Sequence, residues 1–358
     1  HEIICRLTGE LVNGWQPGGE CDLNTEMVQF MLRMTSALLF GMDDLDFALK
    51  LGHLIDRWAH RNHDVGMGAL VSAPQFAEGY TQLLAQAEEL EQSVREMLAR
   101  QRSASRDEVN ILSLLMEAQG EDNDPNDDKL IGHATLLFAA AHLTTAHTFS
   151  WTLFLLSQHP EVLQKLKAEL DASVAGEIPT LEELERLPYL DAVLKESMRV
   201  LPASSYSQRV TTQPVTLDTV RLNAGAPVIF SQYITHHRKD LYEQPDSFIP
   251  ERWASIAPSP YAYLPFGAGP RMCIGAPLAM VELRTAMTIM LKKAHFQVQP
   301  MSTVNGHVIS TMLGPTSSIK TRLIPTTELP TTVPVLGSIH SLVDLPAAAR
   351  LSVQRRAA

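Results

Sequence analysis

The run Pro265-Phe266-Gly267-Ala268-Gly269-Pro270-Arg271-Met272-Cys273-Ile274-Gly275 decides how the chain is read. It sets one thiol between glycines, two residues after an arginine. A strong helical pattern, Pro277-Leu278-Ala279-Met280-Val281-Glu282-Leu283-Arg284, follows at once. A thiolate near a helix N-terminus meets the positive end of the macrodipole and unpaired backbone N–H groups, and both favour it. Gly267, Gly269 and Gly275 let the backbone turn sharply and approach something flat and bulky. A thiolate presented in this way suits a soft metal, with haem iron the prime candidate. The planar fork of Arg271 suits a carboxylate such as a haem propionate.

Three stretches upstream extend the pattern. In Leu194-Lys195-Glu196-Ser197-Met198-Arg199, Glu196 and Arg199 share one helix face. Phe248-Ile249-Pro250-Glu251-Arg252-Trp253 is a turn-rich segment with a further arginine. Phe138-Ala139-Ala140-Ala141-His142-Leu143-Thr144-Thr145-Ala146-His147 lies inside a long helical pattern. There the small alanines allow a flat ligand to pass close, and Thr144 and Thr145 can bond a preceding carbonyl and open a polar notch.

The spacing Phe266-Gly267-x-Gly269-x-Arg271-x-Cys273-x-Gly275 resembles the haem-binding loop of the cytochrome P-450 family. The upstream stretches look like that family's Glu-x-x-Arg helix, its Pro-Glu-Arg-aromatic element and its distal helix, in family order over roughly residues 24–325. The resemblance implies a mainly α fold with small β-sheets (α+β), shortened at its N-terminal end. It implies haem b (iron protoporphyrin IX) ligated by Cys273, with Phe266, Gly267, Gly275 and Ala140 against the ring and Arg271 and Arg209 toward the propionates. Glu196, Arg199 and Arg252 would form a buried structural triad. Thr144, beside Thr145, would fall on the oxygen-side threonine of the distal helix. Ala203, Ser204, Ser205, Tyr206 and Met312 would line the substrate pocket.

Two departures stand in the distal helix. Ala141 replaces a glycine, and Leu143 replaces the usual acid, so a proton relay there must use water, Thr144, His142 or a substrate group. His142 is a direct neighbour, turned about 100° away on a helix, which points it toward another helix.

Composition sets outer bounds. With 358 residues, 45% of them hydrophobic, the chain can bury a sizeable core. Lys+Arg 29 against Asp+Glu 40 gives a net charge of -11, which argues against nucleic acid as a partner. Three cysteines, Cys5, Cys21 and Cys273, offer no disulfide framework and no clustered metal site. His1 is not a start methionine, and Glu2 to Trp15 reads as the middle of an amphipathic helix. The chain is therefore expected to lack a front portion that would hold the first sheet, early helices and a further basic residue for the propionates. Membrane association stays open: cytoplasmic for a soluble bacterial type, or the endoplasmic reticulum membrane if a preceding segment carried an anchor.

Along the chain, helices are expected over 24–41 (capped at Asn24), 44–60, 75–102, 108–120, 127–158 (capped by Asp127 or Asn126), 160–173 and from Pro179, where a capping box reads clearly. Residues 61–72 read as a connector through Gly66 and Gly68, and 121–125 as an acidic turn. Strands are expected at 215–217 and 226–231, a substrate-facing turn at 203–209, and a hairpin tip at 312–315. The pair His236-His237 lacks ligand company and reads as structural. Residues 1–325 form the expected haem-thiolate domain, and 326–358 a Pro/Thr-rich tail.

The function the resemblance implies is insertion of one atom of O2 into an apolar small molecule, terpenoid, fatty acyl or polyketide-like, in secondary metabolism. Electrons would come from NAD(P)H through a reductase or ferredoxin, docking where Arg284, Lys292 and Lys293 supply positive charge. Leu143 leaves open an isomerase, cyclase or peroxygenase, and the short front leaves open a haem-free chain without activity.

Overall fold

The computed structural model describes residues 1–69, 75–103, 109–119 and 127–350. Its helices are α1 (Glu2–Asn13), α2 (Leu23–Phe40), α3 (Leu45–Ala69), α4 (Gln75–Ser103), α5 (Ile111–Gln119), α6 (Asp128–Gln158), α7 (Pro160–Ser173), α8 (Leu181–Glu185), α9 (Pro188–Val200), α10 (Gln232–His236) and α11 (Ala276–Lys293). Its strands are β1 (Glu20–Asp22), β2 (Tyr206–Val210), β3 (Val215–Leu217), β4 (Val220–Leu222), β5 (Pro227–Ser231), β6 (His295–Val298), β7 (Gly306–Ile309), β8 (Met312–Pro315) and β9 (Lys320–Ile324). The molecule is mainly α with small antiparallel sheets, as expected. Two units divide the chain: one holds Glu2–Leu7 and Val28–Leu143, the other His1, Thr8–Met27 and Thr144–Ala358.

The first of these is helical. Leu39 and Phe40 of α2, Leu51 and Ile55 of α3, Val94 and Leu98 of α4, and Phe138 of α6 fill one apolar core. Gly52 sits where the helices come closest, since a Cβ there would lie 2.5 Å from Ser36 Oγ and 2.8 Å from Phe138 Cζ. The α3 helix continues to Ala69, through 61–69 of the stretch read as a connector, and 70–72 lie outside the described residues. Gly66 and Gly68 lower helix propensity by about 1 kcal/mol each, too little to end a helix of this length. Asp127 does begin α6, its carbonyl accepting the Ile131 N–H at 3.0 Å. Its carboxylate, however, is held by Arg102 at 2.5 Å rather than turned onto the helix, and Asn126 lies outside the described residues. So do Glu108, Gly120 and the acidic turn 121–125.

In the other unit, β1, β9 and β6 form a three-stranded sheet in the order β1-β9-β6, and β2–β5, β3–β4 and β7–β8 form hairpin-like pairs. The start of α2 is capped by Asp22, which accepts from Asn24 N at 3.1 Å and from the Thr25 hydroxyl at 2.8 Å. The expected cap, Asn24, is already inside the helix, and Gly41 follows its end at φ 96. The capping box at Thr180 and Glu183 is present in full. Tyr206–Arg209, expected as part of a turn, belongs to β2, because Tyr206 to Val210 pair in register with Ser231 to Pro227. Likewise Met312–Pro315 is strand β8, and the tip of its hairpin is Ser310–Thr311, with Ser310 at φ 57. The Pro/Thr-rich stretch beyond 326 threads back through this unit. Val304 N donates to Leu336 O at 2.8 Å, Leu336 N to Ser302 O at 2.9 Å, and Val335, Ile339 and Leu345 are buried. Residues 351–358 lie outside the described residues.

The helix behind the cysteine loop, α11, carries an acid in its buried face. Glu282 is 4% exposed, and burial pushes its carboxyl up to about 8. The unfolded chain releases that proton near 4.5, so the native state holds it longer and stability falls as pH rises from about 4.5 to about 8. Glu282→Gln is expected to flatten this fall and to raise the urea midpoint at pH 8 by a few kcal/mol in stability. An unchanged midpoint at pH 8 would show that the carboxyl is not desolvated. Among the described residues no helix is long and apolar enough to cross a membrane, and no group of three or more His, Cys, Asp or Glu is placed to hold a metal ion.

Candidate functional site

The cysteine loop is built from backbone geometry that requires its glycines. Gly267 and Gly269 have φ of 70 and 72, in the left-handed region that side chains resist. Gly267 N donates to Leu264 O at 3.0 Å, and Cys273 N donates to Phe266 O at 2.8 Å, closing the loop on itself. A single 3-10 turn, Gly269–Arg271, lies between them. Gly275 caps α11, accepting the Ala279 N–H at 2.9 Å, and Pro277 follows in the first turn, where its missing N–H costs nothing. The Cys273 thiol is exposed. A Cβ on Gly275 would stand 3.8 Å from its sulfur, so the glycine leaves that side of the sulfur open. Arg271 is exposed with no carboxylate partner among the described residues, and Met272 and Ile274 beside the thiol are exposed apolar side chains.

Behind the loop, a buried charge cluster joins α9 to the turn Pro250–Ala254. Glu196 is fully buried and accepts five hydrogen bonds. Arg199 Nε reaches Oε2 at 2.9 Å and Arg199 Nη2 reaches Oε1 at 2.8 Å. Arg252 Nε and Ile249 N reach Oε1 at 2.9 and 3.0 Å, and Trp253 Nε1 reaches Oε2 at 3.0 Å. Further guanidinium protons go to carbonyls: Arg199 to His236, Pro245 and Ser247, and Arg252 to Glu243 and Gln244. A desolvated ion cluster persists only when its donors are satisfied in this way. The structure therefore brings Glu196, Arg199 and Arg252 together, and adds Trp253.

The residues expected to face substrate also meet. Ser204 bridges Met312, Leu313 N donates to Ala203 O at 2.9 Å, and Ser205 N donates to Thr311 O at 2.9 Å. Ala203 and Ser205 are buried, while Tyr206 and Met312 are half-buried. The second half of α6 lies against the same hairpin, with Trp151 Nε1 donating to Leu313 O at 3.1 Å. At Gly314 an added Cβ would overlap the His147 imidazole, so helix and strand touch through a glycine. Gly314→Ala is expected to cost about 1–3 kcal/mol of stability by overpacking, read from urea unfolding. A variant as stable as the parent would mean that β8 has room to retreat.

Other expected site residues are placed as follows. Thr144 is half-buried, and its carbonyl accepts the Thr148 hydroxyl at 2.9 Å. Thr145 is buried. In α6, hydroxyls bond back to preceding carbonyls at Thr148, Ser150, Thr152 and Ser157, and Thr152 also reaches Ser197 Oγ at 2.8 Å. Ala140 is exposed. Arg209 is exposed on β2, with Nη1 on its neighbour's carbonyl, Gln208 O. His142 is buried in the helical unit, with Nε2 3.3 Å from Val28 O and Nδ1 3.5 Å from Asp56 Oδ1. Burial lowers its pKa, and both ring nitrogens face groups of the helical core, Val28 O and Asp56.

The expected docking charges are largely spent elsewhere. Arg284 is held bidentately by Asp191 at 2.6 and 2.7 Å, and Lys292 donates to Val174 O at 2.6 Å, while Lys293 is exposed. Sequence reading missed these pairings because the partners lie some hundred residues away.

The sequence model described as Cytochrome P450 matches residues 4–320. The chain is 29% identical over 303 residues to cyclooctat-9-en-7-ol 5-monooxygenase of Streptomyces melanosporofaciens, covering 82% of this chain and 65% of that protein. It is 32% identical over 199 residues to cytochrome P450 3A2 of Rattus norvegicus, covering 53% of this chain and 40% of that protein. The chain thus spans less than two thirds of either relative. The crystal structure of the cytochrome P450DA heme domain superposes with a TM-score of 0.78 at 22% identity, covering 90% of this chain and 72% of that one, and shares its fold.

Proposed function

The chain belongs to the cytochrome P450 family, and from that premise we propose that it is a haem-dependent monooxygenase acting on an apolar small molecule. The observation that carries this reading is the exposed Cys273 thiol, set in a loop that two left-handed glycines shape, with the exposed Arg271 guanidinium two residues away. A soft sulfur donor, an open glycine beside it, exposed apolar neighbours and an exposed guanidinium are the donor set a haem with propionates requires. Cys273 would hold the iron, Arg271 and Arg209 would receive the propionates, and Phe266, Gly267 and Gly275 would lie against the ring. When bound, the haem supplies the oxidising power that places one oxygen atom of O2 in a C–H bond.

The chain's own share is binding, water control and proton supply. Thr144 hands protons from its hydroxyl, with Thr145 keeping the notch polar, because Leu143 offers no titratable atom. Ala203, Ser204, Ser205, Tyr206 and Met312 orient substrate, the backbone of Ala203 to Ser205 being zipped to the β7–β8 hairpin that carries Met312, so that the wall stays rigid. An apolar substrate fits these side chains. The name of the Streptomyces relative, a monooxygenase of an unsaturated cyclic alcohol, supports that class, and a terpenoid, fatty acyl or polyketide compound is the proposed range. Electrons arrive from NAD(P)H through a reductase or ferredoxin. Residues 1–325 form the haem-thiolate domain, to which 326–350 add a packed strap. The test is the carbon-monoxide difference spectrum of the reduced protein after haem loading. The red-shifted band of thiolate ligation is expected, and its absence at full haem occupancy would sink the reading.

A further inference from the structure

We propose that His236 is a positioning residue for the cysteine loop, its imidazole linking the Leu264 amide at the loop's entrance to the Arg199 carbonyl of α9. His236 ends α10 and is fully buried. Leu264 N donates to His236 Nε2 at 2.8 Å, and His236 Nδ1 lies 3.2 Å from Arg199 O. One protonation pattern satisfies both contacts. Nε2 must keep its lone pair for the Leu264 N–H, so the single ring proton sits on Nδ1 and points at the carbonyl. A protonated ring has no lone pair to offer Leu264. Burial, with Arg199 beside it, pushes the pKa down to about 3, so the accepting form persists at neutral pH.

The link runs in both directions and continues into the loop. Arg199 Nη1 donates back to His236 O at 2.8 Å, which locks the histidine to the Glu196 cluster. Its ring stacks on Tyr263 with centroids 5.6 Å apart, and Tyr263 reaches Lys195 O at 3.1 Å. Leu264, bound through its N–H, accepts the Gly267 N–H through its carbonyl, and Phe266 O accepts the Cys273 N–H. The unbroken series α9, His236, Leu264, Gly267 and the Phe266–Cys273 bond sets the height at which the sulfur is offered.

The spectroscopic arm of the test rests on the haem-thiolate reading, and a second arm does not. Three variants of the 358-residue chain separate the roles of the ring. His236→Gln places an oxygen near the former Nε2, His236→Asn keeps a donor for Arg199 O but falls short of Leu264, and His236→Phe keeps only the stacking. Hydrogen exchange at the Leu264 amide, followed without ligand, is expected to speed up about tenfold in the Asn and Phe variants, the scale of one hydrogen bond. The Gln variant should stay within about twofold of the parent. In the haem-loaded, reduced, CO-bound protein the thiolate band should decay to the blue-shifted form about tenfold faster in the Asn variant, and Gln should restore it. If the Phe variant does not fold, the Asn variant decides. Parental exchange and parental band lifetime in the Asn variant overturn the proposal, as does a Gln variant no better than Asn. Should the parent itself show no thiolate band, the haem reading fails while the exchange arm still decides the histidine's role.

Discussion

Glu196→Ala is expected to leave too little stability for a folded, haem-competent protein. The carboxylate is fully buried and takes hydrogen bonds from Arg199, Arg252, Trp253 and Ile249. Removing it strands two guanidinium charges in a region that water does not reach. Breaking one buried pair costs about 3–5 kcal/mol because a charge is left uncompensated. Here two charges lose their counter-ion, and an indole N–H and a backbone N–H also lose an acceptor, each a further roughly 1–3 kcal/mol. A domain of this kind has only about 5–15 kcal/mol in hand. Glu196→Gln should be milder but still damaging, since the amide can accept at one oxygen and must present its own donors to guanidinium groups. Arg252→Ala should fall between the two, because Arg199 keeps its bidentate partner. Soluble yield and urea unfolding at constant m-value read the effect. A Glu196→Ala protein within about 0.5 kcal/mol of the parent, the range of ordinary surface changes, would show that the cluster does not hold α9 to the 243–253 segment.

The elements that could be read in advance were those whose cause is local. The capping box at Thr180 needs only Glu183 three residues on, and α7 begins at Pro160 and ends at Ser173 because both its start signal and its apolar spacing lie within it. The cysteine loop was legible for a different reason. Left-handed backbone at Gly267 and Gly269 admits few residue types, so a conformational demand is written into the residues themselves. What escaped was decided by partners far away in the chain. Arg284 looks like a docking charge until Asp191 of α9 closes on it; the cap of α2 is the exception, since it passes from Asn24 to Asp22 only two residues earlier. Gly66 and Gly68 suggested a break, yet α3 runs past them to Ala69. His236 stands out least in sequence, as one of two adjacent histidines, yet its ring joins segments that lie far apart in the chain. Its role follows from which nitrogen has a lone pair, which no spacing rule reports.

Cys273→Ala should separate fold from chemistry. The thiol is exposed, and no hydrogen bond to its sulfur is present among the described residues, so truncating it removes no packing and strands no donor. The stability change is therefore expected within about 0.5 kcal/mol, as for other surface substitutions. The glycines that shape the loop and the Cys273 N–H bond to Phe266 O are backbone features and survive the change. The red-shifted band of the reduced CO complex should nonetheless vanish, and substrate oxygenation should fall to background, because an alanine offers iron no electron pair. The other two thiols are the control. Cys5 is buried, and Cys21 lies 3.1 Å from the Thr321 hydroxyl. Burial raises the pKa of both, so neither supplies a thiolate at neutral pH. Cys21→Ala should accordingly keep the band in full. The argument fails if Cys273→Ala retains the thiolate spectrum, or if loss of Cys21 erases it, since either result would put the iron on a different sulfur.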